Sequence, residues 1–194
     1  IIDKKKICII TKIGFDHTEF LGKKIQSIAQ EKAGIFRKKT PIVIAKQNNN
    51  DALNTLINSA YKMDAKIIDL ENIPTSITLG LKGSHQYENA SAAFTAAKLI
   101  IPSISKTKTI IALKKTRWHA RVEEIKTGKI TKYRNNITIL DGAHNEDGAA
   151  VLNDFLKKQS FLKCNLVIGM LNNRSIESFV KIFKNHINEA FALP

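Results

Sequence analysis

Residues 7–13 form an apolar, β-branched run interrupted only by Thr11 and Lys12. A short run of this kind predicts a buried strand. Ile25, Ile28, Ala29 and Ala33 then recur at spacings of three and four, which is one face of a helix, and Gly34 is its stop signal. Residues 41–45 read as the next strand. A helix opens at Asp51 with Leu53, Leu56, Ile57, Ala60 and Tyr61 on its apolar face, and residues 66–70 read as a third strand. Strand, helix, strand, helix, strand predicts an α/β unit around a parallel sheet. Residues 71–82 are irregular, residues 89–101 form an Ala-rich helix ended by Pro102, and the polar residues 103–109 read as a linker. A second α/β piece starts near Trp118. Residues 121–126 and 129–134 flank Thr127-Gly128 as a hairpin. Residues 137–140 are a strand, 147–158 a helix, 165–170 a strand and 175–184 a helix. The final residues, 190–194, read as a strand just beginning, and both ends look cut from something longer.

Composition sets outer bounds. Apolar residues make up 43% and charged residues 25% of 194 residues, the balance of a chain that buries a core. No segment approaches the ~20 consecutive apolar residues of a membrane helix, and no signal-peptide h-region is present. Cys8 and Cys164 are the two cysteines, too few for a disulfide scaffold, and they fit a reducing compartment. The expected location is the cytoplasm. The formal charge is +14, with 31 Lys and Arg against 17 Asp and Glu. The lysines are scattered, and Lys, Ile and Asn dominate as AT-rich coding produces, so charge alone carries no case for a nucleic-acid partner.

Candidate chemistry gathers after two strands, because ligands of open α/β sheets collect at strand carboxyl ends. One cluster is Thr11-Lys12-Ile13-Gly14-Phe15-Asp16-His17; the other is Asp141-Gly142-Ala143-His144-Asn145. An Asp or His in such a place also serves as a turn former or helix cap. The stretch Gly14 to Gly22, continued by Ile28-Ala29-Gln30-Glu31-Lys32-Ala33-Gly34-Ile35, resembles the central domain of the folylpolyglutamate synthase/dihydrofolate synthase family of the Mur-ligase superfamily. His85-Gln86-Tyr87-Glu88-Asn89-Ala90 is similar to the family's HQxxNA. Trp118-His119-Ala120-Arg121 is similar to its WPGR or WPAR, Asp141 to Asn145 to its DGAHN, and Leu166 to Leu171 to the LVFGML that follows.

The resemblance implies an α/β chain. Residues 1–101 would be the end of a central P-loop-type ATP-binding domain, 102–117 a linker, and 118–194 part of a Rossmann-like C-terminal ligase domain. It implies an ATP-dependent amide ligase that adds L-glutamate to a folate or dihydropteroate through an acyl phosphate. Mg²⁺ would be the cofactor and ATP a substrate, with no nucleic-acid or membrane partner and a monomeric full-length enzyme. His17 would be a Mg²⁺ ligand. Lys32 would be carbamylated by CO₂; only a neutral amine reacts, so burial must first lower its pKa. Asn89, Arg121 and Asp141 would bind ATP from one cleft between the two pieces, and His144 would help or simply pack its turn. Trp118 is expected in a core. One straight helix from His17 to Lys32 would separate them by about 22 Å, so a break is expected at Gly22.

Departures temper this. Lys12 stands where the family has Asn, His119 replaces Pro, Glu146 replaces the Pro after DGAHN, and residues 126–136 lengthen the hairpin. No G-x-x-x-x-G-K-[ST] phosphate loop occurs, and the family carries this loop and the remaining Mg²⁺ ligands ahead of the first motif seen here. The alternatives are therefore an inactive remnant of such a ligase, a peptidoglycan-type Mur ligase, and a basic binding module.

Overall fold

A computed structural model of the chain describes residues 4–15, 22, 24–129, 132, 137–159, 163–171 and 175–193. It divides into two compact units: residues 1–78 with 86–113, and residues 79–85 with 114–194.

In the first unit β1 (Cys8–Ile10), β2 (Ile42–Ile44) and β3 (Ile67–Ile68) form a parallel sheet with β2 central. Paired residues of a parallel sheet share a face, so the register Cys8↔Ile42↔Ile67 and Ile10↔Ile44 sets one apolar side. That side packs on α1 (Ile25–Ala33) and α2 (Asn50–Lys62) through Ile28, Ala29, Leu56 and Ala60. Of the apolar face expected on α2, Leu56 and Ala60 are buried beside Ala52 and Ser59, and Leu53 and Ile57 are half-buried, while Tyr61 is 76% exposed. Its phenol ring stays in solvent because Ala52 and Ser59, small enough for close helix packing, take the inner stripe. Asn49, within the run of three asparagines, caps α2 by accepting from the Asp51 and Ala52 N–H groups. Gly34 ends α1 in right-handed rather than left-handed geometry.

The next helix, α3 (His85–Ile100), starts four residues earlier than the Ala-rich pattern suggests. Its buried Thr95 accepts the Glu71 N–H and so fastens the irregular segment that follows β3. Residues read as linker are in fact helical: α4 spans Lys106–Lys115, with Thr109 buried. Its lysines are good helix formers, and Ser105 accepts through its backbone from Thr109 Oγ1.

In the second unit β4 (Glu123–Glu124) pairs antiparallel with β5 (Ile139–Leu140). The partner of the 121–126 strand is thus the 137–140 strand; most of the expected second arm, 129–134, lies outside the described residues. After α5 (Glu146–Lys158), β6 (Cys164–Ile168) runs to α6 (Ile176–Phe183) and back to β7 (Ile187–Ala192), parallel to β6. This crossover buries Ala149, Ile168, Phe179 and Phe183, the two phenyl rings meeting edge to face at 5.1 Å. Val122, Phe155 and Leu156 make a second cluster. Gly80 lies against the 114–117 backbone so tightly that any side chain there would strike the Thr116 carbonyl. This close approach holds residues 79–85 to the second unit.

Candidate functional site

The strand end after β1 is braced from β2. Gln47 accepts the Ile13 N–H at 2.9 Å and donates to the Thr11 and Ala45 carbonyls at 3.2 and 2.7 Å. One amide side chain thus fixes the backbone leading into Gly14. No local pattern in the sequence signals this, because its partners lie 34 and 36 residues away. Beyond Phe15 the chain leaves the described residues, so His17 cannot be placed; it lies outside them. Gly22 is left-handed at φ 83°, and α1 begins only at Ile25. The chain turns there rather than running as one helix into Lys32.

Lys32 stands in the last turn of α1 and is exposed. The burial that carbamylation requires is not supplied by the described residues of its own unit. Among the described residues no group of three or more His, Cys, Asp or Glu side chains is placed to hold a metal ion. The expected Mg²⁺ ligand, His17, lies outside the residues so compared.

Asn89 lies in the second turn of α3, not at its cap, and its Nδ2 donates to Gln86 Oε1 at 3.1 Å. It belongs to the first unit, whereas Arg121, Asp141 and His144 belong to the second. The second unit brings those three together. Asp141 follows β5 directly. Its Oδ2 accepts the Val122 N–H at 2.7 Å and its Oδ1 accepts the Ala143 N–H at 2.8 Å. Gly142 N–H donates to the Ala120 carbonyl at 2.9 Å. His144 Nδ1 is 2.9 Å from the Gly142 carbonyl. Asn145 caps α5 by accepting the Gly148 N–H.

The motif carrying Arg121 is held by a residue the motif itself does not contain. Glu123 accepts the Ala120 N–H through Oε2 at 2.9 Å, and its Oε1 lies 2.9 Å from His119 Nδ1. The backbone hydrogen bond and the imidazole hold the Glu123 carboxyl below its ordinary range. This contact ties His119 to the residue four positions on. Trp118 is not in a core: it is 69% exposed.

No family model matches the chain. Among curated proteins it is 27% identical to folylpolyglutamate synthase of Saccharomyces cerevisiae over 191 aligned residues, covering 90% of this chain and 34% of that protein. It is 28% identical to a "Probable dihydrofolate synthetase" of Schizosaccharomyces pombe, covering 94% of this chain and 48% of that protein. Among solved structures it matches Mycobacterium tuberculosis folylpolyglutamate synthase complexed with ADP and AMPPCP. There the TM-score is 0.80 and the identity 19%, over 96% of this chain and 47% of that one. The α/β fold is thus that of about half a folylpolyglutamate synthase. In sequence, too, the chain is similar to folylpolyglutamate and dihydrofolate synthases, and it spans a third to a half of the length of these curated relatives.

Proposed function

We propose that this chain is part of an ATP-dependent amide ligase that adds L-glutamate to a folate or dihydropteroate through an acyl phosphate. The observation that carries the reading is the collinear similarity to two ligases of this kind along at least 90% of the chain. In this reading Asn89, Arg121 and Asp141 serve the nucleotide, with His144 beside them. Arg suits a phosphate because its guanidinium presents several fixed donors. Lys32, as a carbamate, and His17 would serve the metal-facing side. The surface exposure of Lys32 means that a further segment must cover it before a neutral amine meets CO₂.

Phosphoryl transfer is catalysed by positioning and charge neutralisation. A phosphate loop supplies much of both, and the sequence contains no G-x-x-x-x-G-K-[ST]. The chain alone is therefore expected to show no ligase turnover. The test is ADP release by the purified 194-residue chain with dihydropteroate or tetrahydrofolate, with and without an added polypeptide carrying a phosphate loop. Release that needs the added polypeptide, L-glutamate and the pteridine substrate together supports the proposal. Release that proceeds equally without glutamate contradicts it, and acceptance of a UDP-linked sugar peptide instead favours a peptidoglycan-type ligase.

A further inference from the structure

Two residues that flank Arg121 adopt backbone conformations that L-residues avoid. Ala120 has φ 53° and Val122 has φ 50°. The left-handed region is crowded for any side chain with a Cβ and most of all for a β-branched one. Such a turn persists only where its surroundings over-determine it. Here the surroundings are specific. The Val122 side chain is buried beside Phe155 and Leu156. The Ala120 N–H is held by Glu123 and the Ala120 carbonyl by Gly142 N–H. The Val122 N–H is held by the Asp141 carboxylate.

Arg121 is thereby left exposed between two fixed residues. Its guanidinium passes over Gly142, where a Cβ would sit 3.2 Å from Nη1 and 3.4 Å from the Ala120 carbonyl. Gly142 is not left-handed, so its lack of a side chain serves the passage of Arg121 rather than backbone freedom. Both Asp141 oxygens are engaged by backbone N–H groups, one on each side of this passage.

We propose that Asp141 is a positioning residue. Its carboxylate holds the strained Ala120–Val122 turn and so aims the Arg121 guanidinium, and its effect on an anionic ligand runs through Arg121 rather than through direct contact. The inference rests on the reading that Arg121 meets a nucleotide phosphate. Each Asp141 oxygen retains a further lone pair, so direct contact with a ribose hydroxyl is the competing outcome.

A double-mutant cycle on the full chain separates the two. ADP affinity is measured for the wild type, Asp141→Asn, Arg121→Ala and the double variant. Asparagine offers one oxygen and an NH₂, so one of the two backbone N–H groups loses its acceptor. Asp141→Asn is expected to weaken ADP by about tenfold, the scale of one charge-assisted hydrogen bond. In the Arg121→Ala background it is expected to have no further effect. Equal losses in both backgrounds overturn the proposal. Gly142→Ala provides a second route if Asp141→Asn fails to fold. Its Cβ pushes on Nη1 while residue 141 stays an aspartate, and it should lower ADP affinity only while Arg121 is present; a loss that persists in Arg121→Ala counts against the proposal. An arm independent of ADP is the order of the Arg121 Nε–H by ¹⁵N relaxation. Loss of order in Asp141→Asn supports the positioning role, and unchanged order overturns it. If the wild type binds no ADP, the nucleotide reading fails while the relaxation arm still decides whether Asp141 positions Arg121.

Discussion

Glu123 shows how much a single carboxylate organises. It holds the Ala120 N–H and meets His119, and its folded pKa lies below the ordinary value because those contacts favour the anion. A depressed acid stabilises the fold while ionised, above its ordinary pKa, and that contribution is lost as pH falls through the lower, folded pKa. A ¹³C titration of the Glu123 side-chain carboxyl is therefore expected to give a midpoint below that of an unstructured glutamate, with the turn loosening only in acid. A midpoint at the ordinary value would contradict the clamp. Burial pushes the Cys8 thiol upward, partly offset by Lys5 and Arg37, and the side chain is 2% exposed. Thiolate is the reactive form, so alkylation of Cys8 near neutral pH is expected to be slow in the folded chain and fast in denaturant. Equal rates in both would contradict the buried placement of β1. Leu56 is fully buried between α2 and the sheet, and Leu56→Ala is expected to destabilise the first unit by about 2–5 kcal/mol, read from urea unfolding.

At the scale of elements, apolar periodicity locates β1, α1, β2, α2, α5 and α6, because each buries a face that must repeat at its own period. What it misses has physical causes. Helix α4 buries only Thr109, so no apolar stripe marks it against the polar background of residues 103–109. The partner of β4 is misread because Thr127-Gly128 is a stronger local turn signal than the distant pairing of Glu123 with Leu140. Among site residues, Asp141 is legible as a strand-end carboxylate. The bracing by Gln47 and Glu123 is not, since an amide or carboxylate that holds backbone leaves no periodic mark. The caps are legible only in part: Asn145 stands before an acidic first turn, while Asn49 is hidden in an asparagine run. Asn49→Ala removes the acceptor of two N–H groups and is expected to cost about 1 kcal/mol, measured by thermal unfolding. A neutral result would show that solvent satisfies those groups equally well.

At the scale of the molecule, one sheet of the second unit carries an exposed apolar face. The β6–β7 sheet packs one side on its helices, while Val167 and Phe191, paired across the ladder, are exposed on the other. An apolar sheet face of this kind favours association. Phe191→Lys is expected to reduce concentration-dependent self-association in light scattering, and an unchanged profile would show that this face is not what associates. Among the described residues no helix is long and apolar enough to cross a membrane.

The central question is whether a nucleotide meets Arg121 and the backbone that holds it. The direct measurement is an ADP titration of the ¹⁵N-labelled 194-residue chain. Weak, saturable shifts are expected at the amides of Val122, Gly142 and Ala143 and at the Arg121 side chain, with Asn89 also responding, and adenosine without phosphate should leave Arg121 unmoved. Shifts confined to other parts of the chain, or an Arg121 response identical for adenosine and ADP, would contradict it.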